Sequence, residues 1–352
     1  MVSETHFREA AFTPAPGLRS PHVQSIIASM KLRRWVLQTR PTPMRRVAES
    51  RVLTTSDGTR LEAWISRHDA GSSGTLLLFP GWEGHQDSIY MLTIGTRLFD
   101  AGWDVVRLNF RDHGETHHLN EGLFHSCLLD EMIEGVKASA ELAPVRPLVV
   151  GGCSLGGNFA LRVGMRREVD RIPVDSVFGI GPVIDAHSTL AAMENTLPVY
   201  QRYFIRKWLA SLSHKGELFP ERYDMAPALQ MQSVREITDW LVRQGHIQMP
   251  SLDDYLRGYS LNDGSLRSLE IPALMLVARD DPIIPFDDFR DLELGPQTVV
   301  EVADHGGHCG FVDRWTLRSW LERRLEQVLA APPFNEVRPL AEGGGVTAVT
   351  EG

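Results

Sequence analysis

Cysteine is scarce in this 352-residue chain: Cys127, Cys153 and Cys309 are its three, far apart and in no C-x-x-C pair. An odd number at such spacings supports neither a disulfide framework nor a zinc knuckle, and reduced thiols fit a cytoplasmic protein. Long hydrophobic runs are missing too. No stretch approaches the roughly 18 uninterrupted apolar residues of a spanning helix. The opening "MVSETHFREAAFTPAPG" lacks the basic and then apolar regions of a secretion signal. Basic residues are in deficit, 36 Lys and Arg against 45 Asp and Glu, and the formal charge of −9 argues against a nucleic-acid partner.

The deficit is uneven. Residues 1 to 51 hold nine Lys/Arg against three Glu, a net +6 that leaves the remainder at −15. A basic N-terminal arm (residues 1–50) reads either as a weak contact for an anionic membrane surface or acidic substrate, or as a solvated arm lying on an acidic body. No long amphipathic helix with a clean basic face is evident, so the second is the expectation.

A hydrophobic content of 43% can fill a real core. Seven runs read as strands: 60–66, 75–80, 104–110, 147–152, 175–181, 273–278 and 298–303. Several are apolar at every position, as in "TLLLF" and "ALMLVA", which marks strands covered on both faces of a parallel sheet. Helical patterns at 88–101, 127–142, 154–166 and 313–330 alternate with them, so the class is α/β with right-handed crossovers. From 187 to 268 several helical patterns precede the next strand. A connection of that length inside a domain is expected to be an inserted helical cap, which divides the core into 51–186 and 269–332. The Pro/Gly-rich end, 333–352, reads as a flexible tail.

The chemistry gathers where strands end. "PLVVGG" runs into "CSLGGNF", so Gly152-Cys153-Ser154-Leu155-Gly156 fits G-x-S-x-G at a strand-to-helix turn, the pattern of a nucleophile elbow. Glycine is needed there because the turn brings two backbones together. Serine is a poor nucleophile until a base removes its proton, so a histidine held by a carboxylate must follow, in the order Ser, Asp/Glu, His. "ALMLVA" leads into "RDDPIIP", and "TVVEVA" into "DHGGHCGF". Asp281 and His308 are the candidates, with Asp280 and His305 as their nearest competitors. Two amides must hold the oxyanion, and loss of one such donor costs on the order of 100-fold in rate. Leu155, next after the serine, offers one. Trp82, after Gly81 in "PGWEGHQDS", offers the other, and Gly81, Trp82 and Cys153 are expected to border the substrate.

With these residues in place, the chain resembles the YheT-like branch of the α/β-hydrolases. The similar pieces are "SPHVQSI", "PGWEGHQDSIYM", "LNFRDHGET", "SVREITDWL", "LDDYLRGYS", "ARDDPIIP" and "GGHCGF", spread over about residues 20 to 330. The resemblance implies an α/β-hydrolase fold, a mostly parallel sheet flanked by helices with a helical cap, and supports Ser154, Asp281 and His308 as a triad. Pro80-Gly81 stands where His-Gly is common in that family, and "RDHG" where "RGxG" is common, which bears on substrate preference more than on catalysis.

Asp112, His113, His117 and His118 in "RDHGETHH" raise a metal site, but Gly114 spoils a helical face and the pattern is not H-E-x-x-H. They are expected to form a hydrogen-bonded loop beside the site, and no metal or cofactor is expected. Tyr200, Tyr203, Phe204 and Trp208 suit either acyl contact or plain packing. The functional expectation is a serine carboxylesterase acting on a small acyl ester. Acyl transfer or thioester cleavage by the same triad, and a non-catalytic binding module, are the alternatives.

Overall fold

All five residues of Thr75–Phe79 are buried, and their side chains divide by twos: Leu76 and Leu78 join one apolar cluster, Leu77 and Phe79 another. A strand buried on both faces needs cover on both, and the topology supplies it. The computed structural model describes residues 6–29 and 42–330. In chain order its elements are β1 (Phe7–Glu9), α1 (Pro21–Ser29), α2 (Pro43–Arg46), β2 (Glu49–Thr54), β3 (Arg60–Ser66), β4 (Thr75–Phe79), α3 (Ile89–Asp100), β5 (Asp104–Leu108), α4 (Leu129–Leu142), β6 (Leu148–Cys153), α5 (Leu155–Met165), α6 (Arg167–Asp170), β7 (Ser176–Ile180), α7 (Ala186–Asn195), α8 (Pro198–Leu218), α9 (Val234–Arg243), α10 (Leu252–Arg257), β8 (Ala273–Ala278), β9 (Thr298–Ala303) and α11 (Trp320–Ala330).

The strands form one nine-stranded sheet in the order β1-β9-β8-β7-β6-β4-β5-β3-β2. Pairing is parallel from β1 to β5, and β3 and β2 close the far edge antiparallel. On one face, α4 and α5 contribute Met132, Ile133, Val136, Phe159 and Val163 to the cluster that holds Leu77 and Phe79. On the other, α3 and α11 supply Met91, Leu98, Leu321 and Leu325 against Leu76 and Leu78. Every parallel strand therefore ends on the same rim. Ser154, Asp281 and His308 follow β6, β8 and β9 there.

The seven expected strands form with their ends shifted by no more than two residues, and two more appear. β1 pairs in parallel with β9, Phe7 opposite Val300, so the start of the arm is an edge strand of the sheet. For residues 6–29 and 42–50 the reading as a solvated arm is thereby corrected: Leu18 and Gln24 are fully buried, and β2 begins at Glu49. Lys31, Arg33, Arg34 and Arg40 lie outside the described residues, as does the tail from 333. The last helix also differs. It starts at Trp320 rather than 313, because Val312 bridges to Ser319 and Leu317 sits at φ +62, which turns the chain back on itself. Between β7 and β8 lie α7 to α10, and their side chains pack over the carboxyl rim.

Candidate active site

Ser154 joins β6 to α5 at φ +55, ψ −121, a conformation that L residues seldom adopt. Such strain is of order 1–3 kcal/mol and persists when the surroundings over-determine it. Here they do. The Ser154 N–H donates to Ile180 O at 2.8 Å and its carbonyl accepts from Asn158 N at 3.1 Å. A Cβ on Gly152 would stand 2.6 Å from the Gly156 backbone, and one on Gly156 2.4 Å from the Pro80 carbonyl oxygen. Only glycine lets the strand, the helix and the loop after β4 meet this closely. The turn aims Ser154 into a pocket of about 190 Å³ that His308 also lines.

Asp281 and His308 meet on loops that follow neighbouring strands. His308 Nδ1 lies 2.9 Å from Asp281 Oδ2, and the other carboxylate oxygen accepts the N–H groups of Ile283 at 2.8 Å and Ile284 at 3.0 Å. A carboxylate only accepts, so Nδ1 carries the proton and Nε2 is left as the basic nitrogen. Burial is the largest influence and opposes a charged imidazole, but Asp281 and Cys309 beside the ring together outweigh it and hold His308 well above its ordinary value. Among the described residues Ser154 Oγ has no hydrogen-bond partner, and His308 Nε2 lies 3.9 Å from Cys309 Sγ. Contact with the Cys153 thiol, and then burial, pushes the Cys309 thiol far above the ordinary cysteine range, so it stays protonated beside the imidazole. The competitors pair with each other: Asp280 accepts from Gly307 N at 2.9 Å and lies 3.4 Å from His305 Nδ1, bracing the loop that carries His308.

Two amides border the serine. Leu155 is the first residue of α5, so its N–H has no acceptor within the helix. The loop after β4 packs on the elbow, with the Cβ position of Gly81 3.7 Å from Ser154 Cβ. Its turn is pinned around Trp82: Gly81 N donates to Tyr90 Oη at 2.6 Å, and Gly84 N to Gly81 O at 2.8 Å. The Trp82 N–H donates to no described residue. Gly81, Trp82 and Cys153 all line the pocket, as do Leu190, Met193 and Phe204 from the inserted helices.

The "RDHGETHH" residues are committed elsewhere. His113 Nδ1 donates to Arg111 O at 2.8 Å, Asp112 takes Lys215 Nζ at 2.7 Å and Phe124 N at 2.9 Å, and His117 Nε2 meets Ser211 Oγ at 2.7 Å. Tyr200, Phe204 and Trp208 divide as well: Tyr200 is buried and bonds His22, while Phe204 and Trp208 flank Trp82 with ring centroids 5.5 and 5.1 Å away.

The family model for the α/β hydrolase fold matches residues 74–314, more than half of the sequence. The chain belongs to the α/β-hydrolase family. The hydrolase is 26% identical over 324 residues to the putative esterase YheT of Escherichia coli, covering 90% of this chain and 92% of that one, which places it in the YheT-like branch. Among solved structures it is similar in fold to the Pyrococcus furiosus esterase Pf2001 (TM-score 0.51, 17% identity, 80% of this chain and 92% of that one). The esterase EaEST of Exiguobacterium antarcticum is similar too (TM-score 0.51, 17% identity, 80% and 98%).

Three residues of this hydrolase's site escaped the sequence reading. Ser25 Oγ accepts the His308 N–H at 2.8 Å, and Gln24 bonds Val312 in both directions, at 2.7 and 2.9 Å, so α1 supports the loop that carries His308. Tyr90 holds the turn after β4 through Gly81 N. The signal for the first two was "SPHVQSI", a helix with a fully buried glutamine that periodicity alone reads as solvent-facing.

Proposed function

We propose that this hydrolase cleaves carboxylic esters through an acyl-enzyme formed on Ser154. The carrying observation is the 2.9 Å Asp281–His308 pair, sharing one pocket with a serine held in a strained elbow. His308 Nε2 takes the Ser154 proton as Oγ attacks the ester carbonyl, and Asp281 stabilises the imidazolium that forms. The negative oxygen of the tetrahedral intermediate faces the Trp82 and Leu155 amides and the N-terminal end of α5. The imidazolium then protonates the departing alcohol. In the second half His308 activates water, which attacks the acyl group and frees the acid and Ser154. The helices between β7 and β8 act as a cap that roofs the pocket and excludes bulk water.

The apolar wall built by Leu190, Met193, Phe204, Trp208 and Ile283 favours an aliphatic or aromatic acyl chain over a charged one. A fluorophosphonate probe tests the reading. It is expected to label the wild-type protein and leave Ser154→Ala and His308→Ala unlabelled, with p-nitrophenyl ester turnover lost in both. Labelling that survives in Ser154→Ala would remove that serine from the mechanism.

A further inference from the structure

Glu83 occupies φ +55 in the Gly81–Gly84 turn, one residue after the amide read above as an oxyanion donor. Both of its backbone groups are held by side chains from elsewhere in the fold. Its N–H donates to His113 Nε2 at 3.1 Å, and its carbonyl accepts from Lys207 Nζ at 2.7 Å. His113 comes from the loop after β5, Lys207 from the middle of α8. We propose that His113 and Lys207 are positioning residues that hold the oxyanion turn in working geometry and couple it to the seating of α8. The proposal rests on the ester-hydrolase reading above.

The physics is local. A left-handed conformation costs an L residue roughly 1–2 kcal/mol, so Glu83 relaxes toward negative φ unless something opposes it. The two bonds grip the residue on either side of the rotating N–Cα bond and so oppose that rotation directly. Rotation at Glu83 would reopen the turn and swing the Trp82 amide away from Ser154. The histidine is built for a permanent acceptor role. Its Nδ1–H is spent on Arg111 O, and burial lowers its pKa to about 3, so Nε2 keeps its lone pair at any working pH. The lysine arrives with company. Phe204 and Trp208, on the same face of α8, stack on and abut the Trp82 indole at 5.5 and 5.1 Å, so side chain and backbone of the turn are gripped by one helix. A shift of α8 therefore moves the oxyanion donor as well as the roof of the pocket. Closure over a substrate and assembly of the catalytic geometry become one event.

The test is kinetic, on p-nitrophenyl butyrate, with Lys207→Met, His113→Ala, the double variant and Ser154→Ala. A displaced donor lowers kcat, and a misplacement of about 1 Å costs on the order of 100-fold. Lys207→Met is expected to lose about 10- to 100-fold in kcat with KM within about twofold. Affinity for a trifluoromethyl ketone, which forms a tetrahedral oxyanion on the serine, should fall by the same factor as kcat/KM. The double variant should lose less than the product of the two single losses, because both side chains hold one residue. His113→Ala reads the other end of Glu83 and keeps the inference testable if Lys207→Met does not fold. A kcat within twofold of wild type in either folded single variant overturns the proposal. So does a change confined to KM, which would make Lys207 a substrate contact. Were Ser154→Ala to keep its activity, the ester-hydrolase reading itself would fall, a result distinct from an inactive Ser154→Ala beside an unimpaired Lys207→Met.

Discussion

The Ser25 hydroxyl accepts the backbone N–H of His308 at 2.8 Å, joining residues 283 positions apart in the chain. Ser25 Oγ in turn donates to Pro21 O at 2.7 Å, so the bond is anchored within α1. Beside it, Gln24 carries the load of a small sheet: its amide donates to Leu18 O and Val312 O and its carbonyl accepts from Val312 N. The segment that looked like an appendage holds the backbone on either side of the turn that carries His308.

Gln24→Ala should therefore damage catalysis from outside the pocket. It leaves the Val312 N–H and two carbonyls buried without partners, at about 1–3 kcal/mol for each such group. Thermal unfolding should show a clear loss of stability, and kcat should fall at temperatures where the protein is still folded. Ser25→Ala removes the bonds to His308 N and Pro21 O and should cost less stability while still lowering kcat. An enzyme lacking residues 1–29 that turns over esters at the wild-type rate would refute this role.

Asp281 sets the pH dependence. The base must be neutral to accept the serine proton, and the neighbouring carboxylate favours the charged imidazole, so activity is lost as pH falls through a raised value. The acid limb of kcat/KM should lie above the ordinary histidine value of about 6.5. Asp281→Asn should lower kcat by on the order of 10⁴, as loss of the correct tautomer does in triads of this kind, and shift the acid limb downward. Asp280→Asn should leave the limb in place, because that carboxylate serves Gly307 N and His305. The same limb in wild type and Asp281→Asn would reassign the acid.

Most of this rim was legible from strand endings. Runs buried on both faces, such as "ALMLVA" and "TVVEVA", mark parallel strands, and a parallel sheet brings the residues after each strand to one edge. That logic reaches Ser154, Asp281 and His308 without coordinates. It does not reach Ser25, Tyr90 or Lys207, because each acts through one hydrogen bond on another loop's backbone, and backbone contacts leave no residue pattern. Nor does it find β1, three residues long, whose pairing depends on an edge that only the folded β9 offers. The helix expected from 313 fails for a local reason, the left-handed Leu317, which periodicity does not register.

Pocket depth should appear in chain-length preference. Each buried methylene contributes about 0.8 kcal/mol, close to fourfold in kcat/KM, until the apolar wall is filled. A p-nitrophenyl ester series should climb by about that factor per carbon and then level off. Met193→Trp, adding bulk to the wall, should move the plateau to shorter chains with little effect on the acetate ester. An unchanged series in that variant would place the acyl chain elsewhere.

Lys215 and Asp112 form a buried pair, the lysine side chain 0% and the aspartate 5% exposed, at 2.7 Å. Burial pushes Asp112 up and Lys215 down despite their attraction, so desolvation outweighs the pair's Coulomb gain. Breaking such a pair costs about 3–5 kcal/mol because a charge is stranded, whereas neutralising both partners costs far less. Lys215→Met should thus destabilise strongly in denaturant or thermal unfolding. Adding Asp112→Asn should restore most of the loss. Asparagine tolerates the φ of +59 at this position, and its carbonyl can still accept the Phe124 N–H. The carbonyls of His117 and Asn120, which Lys215 now satisfies at 3.1 and 2.5 Å, set the part that is not recovered. If the double variant were no more stable than Lys215→Met alone, the cost would lie in those carbonyls and not in the stranded carboxylate. Activity separates the two roles of α8: a recovered double variant should regain kcat as well, because Lys207 and the oxyanion turn are then seated as before.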